Sequence, residues 1–326
     1  MKIGTRISAD WLERPGDLAF LKQIGVDVVD ITMDLIPGFS KNHRLTREGV
    51  QQAADILDTA GLSIERINSV GAQTMNTFLG HEGSEQELDD LANNAEISGE
   101  FGFPVYGVQC FQASTFGHFP KPMHEYVEGR GGYRHLRVNV TEAQGHPPPE
   151  GAPTAEQIWE RTIRIFETVV PICESHGINV AMHGNDPPVP ELYGVPQILC
   201  DYDAFDRLFT AVPSDHNGMT FCVGTRYESG QDVFEGIRRF GSKIFHVHFR
   251  NVHGTIPKDG WYEEHIPDAG DLNMFEVASA LHEVGYEGTI DYDHIMTLSS
   301  DDEYGRQYIA YCVGHMRGIL NALSAN

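Results

Sequence analysis

The chain has 326 residues, with 23 Lys and Arg against 47 Asp and Glu, a formal net charge of −24. A composition 40% hydrophobic and 21% charged is that of a folded globular protein, and so large an acidic excess excludes general binding to nucleic-acid phosphates or anionic lipid. No run of about 18 apolar residues is present to span a membrane, and the opening MKIGTRISADW has no apolar core of the kind a secretion signal carries. The five cysteines, Cys110, Cys173, Cys200, Cys222 and Cys312, form no close pair and no CxxC motif. They read as reduced thiols of a cytoplasmic protein.

One pattern repeats along the chain, a short apolar strand followed by an amphipathic helix. Residues 2–8 read as a strand and 15–24 as a helix with Leu18, Phe20, Leu21 and Ile24 apolar. The β-branched run 26–32 is the second strand, and the helix over 47–60 is closed by Gly61. Residues 62–70 and 85–101 form the third pair, and 104–111 is the fourth strand. Thr154 caps a long helix through residue 176. Four further strands are expected at 178–183, 219–224, 243–252 and 288–295, with helices near 203–211, 232–240, 273–284 and 302–323. Eight strand–helix units predict an α/β fold, a (β/α)8 TIM barrel, with residues 1–326 as one domain. A doubly wound open sheet is the alternative, but no GxGxxG follows an early strand. Residues 112–153, rich in Gly, Pro, His and aromatics, interrupt the repeat after strand four and are expected as an inserted loop region. Such a connection suits a lid or a homo-oligomer contact, and no catalytic residue is expected there.

In a barrel of this kind the chemistry sits at the C-terminal ends of the strands. Those positions in strands five to eight hold His183, Cys222, His248 and Asp293. Period-2 alternation pairs Ala181 with His183, Thr220 with Cys222, His246 with His248 and Asp291 with Asp293 on a common face. Taken singly, a strand Cys reads as a small buried hydrophobe and a strand His as a core residue. Four such groups at four successive strand ends are what one divalent ion at a barrel mouth needs. A carboxylate inside a barrel is costly unless paired or metal-bound. Imidazole, thiolate and carboxylate together suit Mn, Fe, Co or Zn better than Mg or Ca.

These residues carry a resemblance. MHGNDPPVP (182–190), TFCVGT (220–225), VHFRNV (247–252), HIPDAGDLNMFEV (265–277) and DYDH (291–294) occur in the order found in the second half of the D-mannonate dehydratase family, the metal-dependent, sugar isomerase-like barrel type. The resemblance implies that His183, Cys222, His248 and Asp293 bind a divalent metal, normally manganese. The implied reaction removes water from D-mannonate to give 2-keto-3-deoxy-D-gluconate, a β-elimination that needs an acid–base group and stabilisation of an enediolate. The resemblance places His294 as the acid–base candidate. It also implicates a tyrosine after the last strand, for which Tyr304 and Tyr308 compete and Tyr304 is preferred. His265 matches a family motif position and is expected to reach the substrate.

An anionic substrate meeting so acidic a chain needs local cations. Arg250, two residues beyond His248, is the expected carboxylate partner because its fork matches carboxylate geometry. Asn251 is expected to bond a sugar hydroxyl, and Asn185 and Asp186 to hold hydroxyls or orient ligands. His246 is expected one layer deeper in the barrel. HGNDPP stands where the family has HPDDPP, and DYDHIM where it has RPDHGR, so a dehydratase for a different aldonate is one alternative. A sugar isomerase or epimerase of the xylose isomerase-like barrel group, with Glu65 as base, is a second. A non-catalytic barrel with a structural metal is a third.

Overall fold

The computed structural model of the chain describes residues 1–7, 9–39, 43–69, 71–109, 111, 113 and 123–325. Cys110, at the expected end of the fourth strand, residues 8 and 70, the expected ends of the first and third strands, and residues 112 and 114–122 of the insertion lie outside the described residues.

Fourteen strands occur among the described residues: β1 (Lys2–Arg6), β2 (Val28–Thr32), β3 (Ile64–Asn68), β4 (Val105–Gln109), β5 (His124–Glu128), β6 (Arg134–Asn139), β7 (Asn179–His183), β8 (Glu191–Leu192), β9 (Val195–Pro196), β10 (Asn217–Cys222), β11 (Ile244–His248), β12 (Asn251–His253), β13 (Trp261–His265) and β14 (Thr289–Asp291). Eight of them close a parallel barrel in the order β1-β14-β11-β10-β7-β4-β3-β2. Strands covered on both faces need apolar residues on both, and all six residues of β10 are buried. The long helix Ala155–Ser175 begins at Thr154, whose hydroxyl accepts from Gln157 N while the Gln157 side chain accepts from Thr154 N. This reciprocal cap satisfies two donors at the helix start, and Ile158, Ile165, Phe166 and Val169 bury the helix against the barrel. Two short helices, Met75–Leu79 after β3 and Val223–Glu228 after β10, carry no independent periodicity in the sequence.

The structure changes two expected strands. The run 243–252 breaks at Phe249 and Arg250: β11 ends at His248, and β12 begins a different sheet at Asn251. The last barrel strand stops at Asp291, because Asp293 takes the left-handed conformation (φ 59°), which no barrel strand accommodates. Within residues 112–153, expected as loop, β5 and β6 pair antiparallel and join β12 and β13 in a four-stranded sheet of order β12-β13-β6-β5. This sheet packs on the barrel mouth, since Tyr262 and Glu264 of β13 bond to residues at the strand ends.

Two register shifts shape the barrel interior. Val29 pairs with Ile64 but Asp30 with Arg66, leaving Glu65 as the extra residue of β3. Met219 pairs with Ile244 but Thr220 with His246, leaving Phe245 extra in β11. Bulges re-aim the side chains around them, and a buried polar layer results below the mouth. In it His246 sits between Asp291 Oδ2 (2.7 Å) and Glu65 Oε2 (3.2 Å), as expected of a residue one layer deeper than His248. Gly107 in β4 leaves room for Asn68, because a Cβ there would fall 1.7 Å from Asn68 Oδ1.

Burial and the Arg66 charge both disfavour the His246 imidazolium, but Asp291 and Glu65 outweigh them and push its pKa up to about 8. A histidine with a raised folded pKa contributes stability that is complete below its unfolded pKa, near 6.5, and is lost as pH climbs through 8. Raising the pH across that window should remove on the order of 2 kcal/mol from the wild type that a His246→Gln variant does not lose. Chemical denaturation over a pH series measures this, and parallel profiles for the two proteins would show that His246 is neutral in the fold.

Candidate active site at the barrel mouth

Adjacent barrel strands deliver three donors to one point. β7 ends in His183, β10 in Cys222 and β11 in His248, and the last two are direct partners in the β10–β11 register. Their donor atoms all lie within 4.8 Å of one another, and the two imidazole centroids are 5.0 Å apart. His183 donates Nδ1–H to Gly184 O at 2.7 Å, which leaves Nε2 as the lone pair. Burial lowers His183 to about 3 and His248 to about 4, so both rings are neutral at ordinary pH. Burial pushes the Cys222 thiol up to about 12, although Arg250 acts against this. Cys222 Sγ accepts from Arg250 Nε (3.2 Å) and Thr225 N (3.5 Å). A cation entering here meets a ready imidazole in His183, a second in His248 whose Nε2 must give up Arg66, and a thiol that must lose its proton on binding. Two imidazoles and a thiol fit a first-row divalent ion.

Asp293 stands beside this trio rather than within it. Its turn is closed by His294 N to Tyr292 O (2.8 Å) and by Asp293 N to Asp291 Oδ1 (3.0 Å). The carboxylate faces His248 Nδ1 (3.2 Å), His294 Nε2 (3.2 Å), an Arg6 Nη (3.3 Å) and Arg250 Nε (3.5 Å). Burial opposes its ionisation, but His248, His294 and Arg6 hold it well below the ordinary carboxylate range. The same turn brings consecutive Asp293 and His294 both to the mouth. His294 lies with Nδ1 3.0 Å from Glu264, and its side chain is 42% exposed to the cavity. Burial disfavours its charge, but Asp293 and Glu264 prevail and raise it to about 9, so it rests as an imidazolium.

Arg250 is not available to substrate. It is buried, with Nη atoms on Glu264 (2.9 Å), Asp186 (2.6 Å) and Glu228 (3.3 Å). Its fork matches carboxylates, as expected, but the carboxylates are the protein's own. Asn251 is buried too, spending its amide on Pro267 O, Leu272 O and the N–H groups of Val252 and Leu272, so it shapes the loop after β13. Asn185 bonds Phe111 O and Leu199 N and braces the loop after β7. His265 turns into the four-stranded sheet, against Tyr133 Oη (2.7 Å) and Glu263 (3.1 Å). Tyr304 lines a neighbouring cavity, its ring under the Arg14 guanidinium (3.5 Å to the centroid), and Tyr308 is buried. Glu65 lies in the layer below, bound to His246. Of the expected substrate contacts, Asp186 alone lines the cavity beside His183 and His248.

That cavity, about 240 Å³, is lined by His183, Asp186, His248, Asp293 and His294 together with Arg6, Arg66, Asn68, Gln109 and Thr220. The two arginines were missed in the sequence. Arg66 is buried and donates to Asp30 Oδ2 (2.8 Å) and Thr220 Oγ1 (2.6 Å), with Nη2 2.9 Å from His248 Nε2. Arg6 bonds Asp30 (3.1 Å) and leaves 37% of its side chain open. Their signal was present: a charged residue inside an apolar barrel strand must be paired or functional, an argument applied to Asp293 but equally true of Arg6, Asp30 and Arg66.

Arg250→Met should destabilise the fold by about 3–5 kcal/mol, because Asp186 and Glu264 would lose the cation they are held against. Urea denaturation tests this. A variant of wild-type stability would instead return Arg250 to the role of a substrate ligand.

Comparison with known proteins places this geometry. The sequence profile of D-mannonate dehydratase (UxuA) matches residues 153–326. Mannonate dehydratase from Thermotoga petrophila is 35% identical over 142 residues, covering 43% of this chain and 39% of that protein. Mannonate dehydratase from Enterococcus faecalis is 34% identical over 178 residues, covering 53% and 49%. The chain thus spans about half or less of the length of these relatives. Among solved structures, mannonate dehydratase from Streptococcus suis superposes with a TM-score of 0.84 at 22% identity, covering 99% of this chain and 93% of that one. D-psicose 3-epimerase from Clostridium cellulolyticum superposes at 0.62 with 12% identity, covering 98% and 99%. At these identities the structural likeness establishes the shared (β/α)8 barrel. With more than half of the chain matched by the profile, and with its motifs forming one mouth, this protein belongs to the D-mannonate dehydratase family.

Proposed function

We propose that the chain is a metal-dependent hydro-lyase converting D-mannonate to 2-keto-3-deoxy-D-gluconate and water. The observation that carries this reading is the convergence of His183, Cys222 and His248 within 4.8 Å beside the cavity that Arg6, Arg66 and His294 line. His183, Cys222 and His248 would hold the metal, with Asp293 as the adjoining carboxylate. Manganese is the ion we assign, iron, cobalt and zinc also suiting two imidazoles and a thiolate. When bound, the ion supplies Lewis-acid stabilisation of oxygen charge developing at the sugar acid.

The remaining work falls to side chains. Arg6, whose side chain is partly open, presents a cationic donor to the aldonate carboxylate, and Arg66, buried on Asp30 and Thr220, adds its charge from behind. Asp186, held by Arg250, Thr225 and Tyr262, accepts from a sugar hydroxyl. The C2 proton must leave, the C3–O bond must break, and the departing hydroxyl must gain a proton to become water. In this reading His294 is the acid–base group: the fraction that has lost its proton takes the C2 proton, and the imidazolium so formed protonates the leaving hydroxyl. The enol that remains tautomerises to the keto acid. We place this activity in one barrel unit, residues 1–326, with 112–153 inserted. The cytoplasm is the compartment in which Cys173, Cys200, Cys222 and Cys312 stay free, as they are here. Among the described residues no helix is long and apolar enough to cross a membrane.

Manganese-loaded protein should form keto-deoxy product from D-mannonate under anaerobic conditions, with Cys222→Ala abolishing turnover. His294→Gln should keep its metal and lose about 10²–10⁴-fold in kcat. Product from another aldonate alone would keep the chemistry and change the substrate. An isomer in place of keto-deoxy product would move the reading to an isomerase, and metal-loaded protein inert on every aldonate would overturn it.

A further inference from the structure

A second group of metal-ligating side chains lies away from the mouth, in the four-stranded sheet. His135 on β6 and Glu263 and His265 on β13 place their donor atoms within 4.8 Å of one another. The register explains the convergence. Glu263 pairs with Arg137, so continuing the antiparallel ladder by two residues sets His265 across from His135. Period-2 alternation puts Glu263 and His265 on one face, within reach of His135. His135 is buried, and Glu263 and His265 are close to it.

Three details favour an ion over a plain hydrogen-bonded network. Glu263 Oε2 stands 3.2 Å from His135 Nε2 and 3.1 Å from His265 Nε2. Charge-assisted hydrogen bonds are shorter, about 2.7–2.9 Å, whereas nitrogen and oxygen ligands at about 2.1 Å from one ion stand roughly 3.0–3.4 Å apart. The two rings are 4.3 Å apart at their centroids, too close for both to be imidazolium without strong repulsion. The supporting contacts are those that a metal site uses. Tyr133 Oη is 2.7 Å from His265 Nδ1, and Arg137 Nε donates to the other Glu263 oxygen at 2.8 Å, leaving Oε2 free to face the ion.

We propose that His135, Glu263 and His265 form a second divalent-cation site, with the two-imidazole, one-carboxylate chemistry that suits zinc or another first-row ion. It clips β6, from the insertion, to β13. Because β13 alternates, Glu263 faces this ion while Glu264 faces His294 and Arg250, so the clip steadies the strand from which Glu264 holds those two residues.

The test counts metal. Apo-protein is equilibrated with Zn²⁺ and bound ions per chain are measured by mass spectrometry, with Co²⁺ absorption as a second readout. The His135→Asn/His265→Asn variant should bind one ion fewer than wild type. Cys222→Ser should retain this ion without a thiolate-to-cobalt charge-transfer band. Tyr133→Phe should bind it about ten- to hundredfold more weakly. Equal metal counts in wild type and the double variant would overturn the proposal. If circular dichroism shows that variant unfolded, Tyr133→Phe decides, unchanged affinity overturning the site. The comparison isolates the two imidazoles, so it stands apart from whether the Cys222 cluster takes a metal or the enzyme turns over.

Discussion

A single buried guanidinium organises the mouth. Arg250 follows β11 at the break where the chain leaves the barrel, and it gathers groups from every neighbouring segment: Asp186 after β7, Cys222 at the end of β10, Glu228 in the following helix, Glu264 on β13 and Asp293 after β14. A carboxylate buried without a cation is costly, so these segments hold one another in place through a common partner. Glu228 shows how delicate this balance is. Burial and nearby Asp186 push its pKa well up, while Arg250 pulls it down. The positions of the Cys222 thiol, Asp293 and β13 all depend on where that arginine sits.

The cavity also resolves an electrostatic problem posed by composition. A chain of net charge −24 repels a sugar acid at long range, yet the cavity lining concentrates Arg6, Arg66 and a protonated His294. Asp30 lies behind both arginines and is itself held far below the normal carboxylate range; burial opposes this, but Arg66 and Arg6 prevail. Asp186 and Asp293 share that lining, so the cations are offered at fixed points beside carboxylates rather than as an excess of positive charge.

Sequence reasoning reached the barrel because its strands and helices alternate with clean periods, and it reached His183, Cys222 and His248 because each ends such a strand. It failed where the decisive contact joins residues distant in the chain. Whether Arg250 points at solvent or at Glu228 and Glu264 depends on the β12–β13 hairpin, and that hairpin pairs with a strand more than 100 residues earlier. Asn185 and Asn251 were misjudged for a related reason: an asparagine next to a ligand in sequence is as useful for tying a loop as for touching a sugar. The short strands of the insertion were hidden by its Gly, Pro and aromatic content, which mimics loop composition. His294 reaches the cavity for a different reason, since only a turn at Asp293 lets consecutive residues share it.

The alternation along β13 has an evolutionary corollary. A one-residue insertion or deletion inside Trp261–His265 would exchange its two faces, sending Glu264 outward and Glu263 toward His294. Changes of chain length in homologous proteins should therefore be purged from this strand and collect in exposed turns such as residues 130–132, where Gly131 and Gly132 already carry positive φ and no side chain crowds them. The segment most tightly constrained in length lies in the covering sheet, outside the barrel that defines the fold.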